Sequence, residues 1–176
     1  GAVMKTAPFG DNRRIGVVHL LSADEAYSEN ARIWGGNAAF REIVQREDGT
    51  LGMKFPAEMT PRGKRLDVPG SQVIEAISGL GLQSLGSRPK DLRITAKVTP
   101  LQPTIAYGVT VRASGDYSQG YEVRVSPSQK TLEVRKPLAG PFPAPSPNAI
   151  YAVEDLDAPV TLEIVCQGDV LDTCLN

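Results

Sequence analysis

Short apolar segments that alternate with period two, cut apart by proline and glycine, constrain this chain more than any other feature. Ile105, Tyr107, Val109 and Val111 fall on one side of a strand, with Ala106, Gly108, Thr110 and Arg112 on the other. Tyr121, Val123 and Val125 alternate with Glu122 and Arg124, and Leu132 and Val134 with Thr131, Glu133 and Arg135. Leu92, Ile94, Ala96 and Val98 repeat the pattern, as do Val160, Leu162, Ile164 and Cys166. Successive side chains of a strand point to opposite faces, so this spacing predicts strands with one face in a core. Turn signals separate them at Ser114-Gly115-Asp116, Ser126-Pro127-Ser128 and Gln167-Gly168-Asp169. Many short strands between such breaks predict an antiparallel sandwich.

The front of the chain reads differently. Residues 14–21, RIGVVHLL, form a near-continuous apolar strand. Residues 38–45 and 50–55 predict a hairpin across Arg46-Glu47-Asp48-Gly49, where Asp-Gly is a strong turn signal. Trp34 precedes Gly35-Gly36 and is expected in a loop entering that strand. Helix signals are thin: residues 24–30 predict one short turn, with Ser22 as cap and Glu25 at the capping-box spacing. Two stretches read as connections, the basic 60–69 and the proline-rich 137–147, since proline cannot donate to a ladder.

Composition narrows function mainly by exclusion. At 176 residues one sizeable core forms without covalent staples. Nineteen basic against 20 acidic residues leave a formal charge of −1, without the basic excess of a nucleic-acid binder. No apolar run approaches a membrane span, and no signal peptide is expected at the start. Neither nucleic acid nor membrane is therefore an expected partner. Cys166 and Cys174 would flank a hairpin without facing each other, so both are expected as buried free thiols. No zinc spacing, calcium loop or dinucleotide fingerprint is present, so neither metal nor cofactor is expected.

No catalytic constellation assembles from the sequence, and no catalytic residue is assigned. The one histidine, His19, lies in an apolar strand, where a hydrogen-bonded structural role is expected. Glu122 and Glu133 would fall opposite each other if their strands form a hairpin through residues 126–129, with Arg124 and Arg135 diagonal to them. A solvated charge lattice on the outer face is expected there. The functional alternative is a polar surface facing a sugar or a partner domain. Among aromatics, Tyr107 and Tyr121 are expected in the core, while Trp34 and Tyr117 join Glu122 and Glu133 as candidate carbohydrate contacts.

Residues 34–59, WGGNAAFREIVQREDGTLGMKFPAEM, resemble the last-blade signature of glycoside hydrolase family 32, the invertase, levanase and fructosidase type. Trp34 and Gly36, then Arg41-Glu42-Ile43, Asp48-Gly49, Leu51, and finally Pro56 and Glu58 carry the resemblance. Phe40 departs from it, standing where that family has proline. Residues 107–112, 120–123, 132–134, 162–165 and 169–174 are similar to the family's closing strands. The resemblance implies an all-β chain. Residues 1–60 resemble the end of a propeller blade, and residues 61–176 form a β-sandwich of concanavalin A-like, jelly-roll type. The family's Asn-Asp-Pro, Arg-Asp-Pro and Glu-Cys motifs, which carry its three catalytic carboxylates, do not occur in the chain. The resemblance thus implies a non-catalytic C-terminal module whose partner is the propeller domain of a fructan-cleaving parent. Self-association through the N-terminal strands is a further expectation. A carbohydrate-binding module and a glycosidase with an unrecognised site built on Glu122 and Glu133 are the two alternatives.

Overall fold

The computed structural model describes residues 4–22, 33–59, 62–68, 70–135 and 149–175, with backbone alone at 19–22 and 33–37. The turn expected at 24–30 and the proline-rich stretch 137–147 lie outside the described residues. The chain is all-β, with three antiparallel sheets and a single short 3-10 turn, Ala57–Met59, among the described residues. It divides into two compact units, Gly1–Arg62 with Cys174–Asn176, and Gly63–Thr173.

The first unit holds a meander of four strands in sequence order: β1 Lys5–Phe9, β2 Arg13–Ser22, β3 Ile33–Gln45 and β4 Leu51–Lys54. The β3–β4 hairpin turns at Asp48-Gly49 as expected. Gly49 takes a φ of 85°, and the Asp48 carboxylate accepts from the Thr50 N–H (2.9 Å) and hydroxyl (2.7 Å). Strand β1 had no alternation to announce it. Its turn is nevertheless legible in Asp11 and Asn12, which both take positive φ, while Arg13 N–H donates to the Gly10 carbonyl at 3.0 Å. Asp and Asn tolerate that left-handed region better than other side chains. Trp34 lies within β3, paired with Leu21, and not in a loop before it, because the strand extends back to Ile33.

The second unit carries two three-stranded sheets. One has the order β10 (Val170–Leu175), β9 (Val160–Gln167), β5 (Leu92–Val98). The other has the order β6 (Tyr107–Val111), β7 (Tyr121–Ser126), β8 (Thr131–Arg135). The alternating positions read from the sequence supply the core of this antiparallel sandwich: Val123, Val125, Leu162 and Ile164 are fully buried, with Leu132 and Val160 beside them. Ile105 falls outside β6 and is exposed. Tyr121 is a correction to the expected core: at the mouth of β7 it stays 39% exposed. Arg112, at φ 53° just past β6, donates to the Gly168 carbonyl (2.6 Å) in the β9–β10 turn and so ties the two sheets at one end. Both cysteines are free and buried.

Candidate functional site

In the first unit the charged residues of the 34–59 segment converge on a residue far away in sequence. Arg13, at the start of β2, donates to Glu42 on β3 (2.6 Å) and through both terminal nitrogens to Glu58 on the 3-10 turn (2.7 and 3.0 Å). Lys54 on β4 stands opposite Glu42 in register, with its ammonium 3.4 Å away. Phe9 packs under the Arg13 guanidinium at 5.4 Å, and Arg41 lies over Phe55 at 4.6 Å on the other face. The Arg13 hydrogen bonds hold the Glu58 carboxyl down at about 2 and keep Glu42 below the usual carboxylate range. A general acid needs its value raised, so this pair is held as two anions and donates no proton near neutrality.

Beside this cluster runs an apolar trough of about 380 Å3. Alternate residues of β1 and β2, Ala7, Ile15 and Val17, form its floor with Phe40; Met59 and Pro56 wall it; Lys5 and Glu58 stand on its lining. Phe9 and Phe40 remain 47% and 40% exposed there.

In the second unit, Glu122 and Glu133 do not face each other. The four-residue turn 127–130 pairs Ser126 with Thr131, which sets Glu122 opposite Arg135 and Arg124 opposite Glu133. The result is a closed ring of alternating charge. Arg135 Nε lies 2.8 Å from Glu122 and its Nη1 3.7 Å from Glu133, while Arg124 lies 3.4 Å from Glu122 and 3.9 Å from Glu133. The ring is no solvated lattice either: Glu133 is 3% exposed, with Ser126, Thr131 and Arg135 also buried around it. Two arginines per carboxylate make this a neutral structural cluster.

The remaining sequence candidates are dispersed. Tyr117 is half-buried in the 114–120 turn at φ 58°, and Trp34 contributes a described backbone alone. Burial pushes the Cys166 thiol up, away from the reactive thiolate. Among the described residues no group of His, Cys, Asp and Glu is arranged to hold a metal, and no helix is long and apolar enough to cross a membrane. Arg13 and the trough escaped the sequence reading because their parts lie 29 and 45 residues apart. The Asp11-Asn12 turn signal, by folding Lys5–Phe9 back on β2, was the available clue.

Fold and site together define an all-β sandwich protein with an additional four-stranded meander. No protein-family model matches the chain, and no match is found among curated proteins or solved structures.

Proposed function

We propose that the chain is a non-catalytic β-sandwich module of the glycoside hydrolase family 32 type, with a stabilising and interaction role beside a fructan-cleaving propeller domain. One observation carries this reading. The residues that bear the resemblance, Glu42 and Glu58, are drawn onto Arg13 in a four-stranded up-and-down sheet, the form of a propeller blade. There they serve as ion-pair partners rather than as an acid and a nucleophile. The apolar trough on the same sheet supports an interaction role, since apolar surface of this kind marks binding faces. The purified chain is expected to release no fructose from sucrose, inulin or levan. Turnover abolished by Glu122→Gln or Glu133→Gln would overturn the reading in favour of a glycosidase.

A carbohydrate-binding role is the second reading, favoured by the exposed rings of Tyr121 and Tyr151. Calorimetric titration with inulin and levan separates the two. Saturable heat lost on Tyr151→Ala would favour glycan binding over the interaction module.

A further inference from the structure

We infer that residues 64–90 of the second unit seat on an anionic lipid surface. The described residues between 62 and 91 form no strand or helix. A loop longer than about 15 residues without structure of its own is functional or a linker. Flexible linkers are rich in glycine, serine and charge. This segment instead carries Val73, Ile74, Ile77, Leu80, Leu82 and Leu85, all exposed. The chain bends at residues 77–79, where Gly79 takes a φ of 80°, and Ile77 at that bend is 96% exposed. Aliphatic groups held this far into water gain free energy by leaving it.

Charge names the occupant. Lys64 and Arg65 precede the apolar stretch, Arg88 and Lys90 follow it, and all four are exposed. None of the four side chains has an ion pair or hydrogen bond among the described residues, whereas Arg13, Arg93, Arg112, Lys130 and Arg135 each stand against a carboxylate. Against these four cations the segment holds Asp67 and Glu75 as its acidic residues, so it is basic within a chain of formal charge −1. The chain-wide balance that spoke against a membrane partner averages this difference away. An apolar middle with cations on both flanks matches an anionic leaflet, where headgroups meet the flanks and aliphatic groups enter the acyl boundary. Together they supply the two signals that stable surface attachment takes. A fluid lipid surface also requires no fixed shape, whereas docking on a folded acidic protein requires a complementary one.

Flotation of the full chain with vesicles tests this. The chain is expected to float with vesicles of phosphatidylglycerol and phosphatidylcholine, to stay behind with phosphatidylcholine alone, and to bind less as salt is raised. Ile77→Ser with Leu80→Ser should abolish flotation while leaving the thermal midpoint unchanged, since both positions are exposed. Lys64→Ala with Arg65→Ala should weaken it about thirtyfold, at about fivefold for each cation near an anionic leaflet. Glu75→Gln, which removes a repelled charge from the apolar stretch, should tighten it. Absence of binding to the anionic vesicles would overturn the inference. So would binding indifferent to the Ile77 and Leu80 changes, which would reduce it to charge attraction alone. Poly-glutamate bound as tightly as the vesicles would assign the segment to an acidic protein instead.

Discussion

Arg13 holds together parts of the first unit that share no sequence neighbourhood, and its removal would leave Glu42, 7% exposed, with Lys54 as its remaining cation. The consequence is a pH dependence of known sign. Both carboxyls have folded values below the usual 4.5, so the unfolded chain binds more protons than the folded one in acid. Stability from these groups is complete above about pH 4.5 and is lost as the pH falls towards the Glu58 value of about 2. Asp116 adds to the same window: hydrogen bonds from Ser114 and Ser118 lower it from 3.8 to about 2. Thermal melts from pH 7 to pH 2 should show the midpoint falling through this range. In Arg13→Gln the midpoint at pH 7 should be lower and the acid slope shallower. A slope unchanged by the substitution would remove Arg13 as its source.

Strands are where the sequence spoke most clearly, and register is where it fell short. The alternation over β5, β6, β7, β8 and β9 placed each of these elements, because core burial on one face writes period two directly into the residues, while β10 was announced by the Gln167-Gly168-Asp169 turn and the resemblance over 169–174. Alternation does not state how two strands slide past each other. One two-residue shift in the β7–β8 turn separates a repulsive Glu122–Glu133 pair from the observed ring in which each carboxylate faces an arginine. The observed register satisfies both the core face and the charged face, whereas the shifted one satisfies the core alone. Removing one member of a buried ring leaves opposite charge uncompensated, so Arg135→Ala should cost about 3–5 kcal/mol in urea unfolding. Reversing the facing pair, Glu122→Arg with Arg135→Glu, should cost less than the sum of the two single changes. Additive losses would show that the ring contributes no coupling. Gly108 tests the same sheet from the neighbouring strand: a Cβ there would overlap the Val123 carbonyl oxygen, so Gly108→Ala should separate β6 from β7 and destabilise the fold. Contacts such as Arg13 to Glu58 were not legible, since nothing local in either segment marks the other.

At the scale of the whole molecule, burial is unevenly spread among the described residues. Among the residues whose side chains are described, the fully buried aliphatic ones belong to β7 and β9 of the second unit, while the hydrophobic ones buried in β3, β4 and the turn after it are Ala39 and Phe55. Between the meander and β5 lies a segment whose described residues, from 62 to 91, form no strand or helix. Among its described residues Val68, Val73, Ile74, Ile77 and Leu80 are exposed. Backbone without ladder hydrogen bonds and without buried side chains opens at little free-energy cost, so protease reaches it before any strand. Limited trypsin digestion should therefore cut first at Lys64, Arg65 and Lys90, all exposed, while the bond after Arg124, within β7, survives. Hydrogen exchange should rank the amides the same way, slowest in β7 and β9 and fastest in the 64–90 segment. Leu162→Ala removes a fully buried side chain at the centre of the slow set and should cost about 2–5 kcal/mol. That loss should speed cleavage after Arg124, because that bond, within β7, opens only with the sandwich core. Cleavage within the 64–90 segment should keep its wild-type rate, because its opening needs no core to break. If Leu162→Ala accelerated both sets equally, the segment and the sandwich would be one cooperative unit.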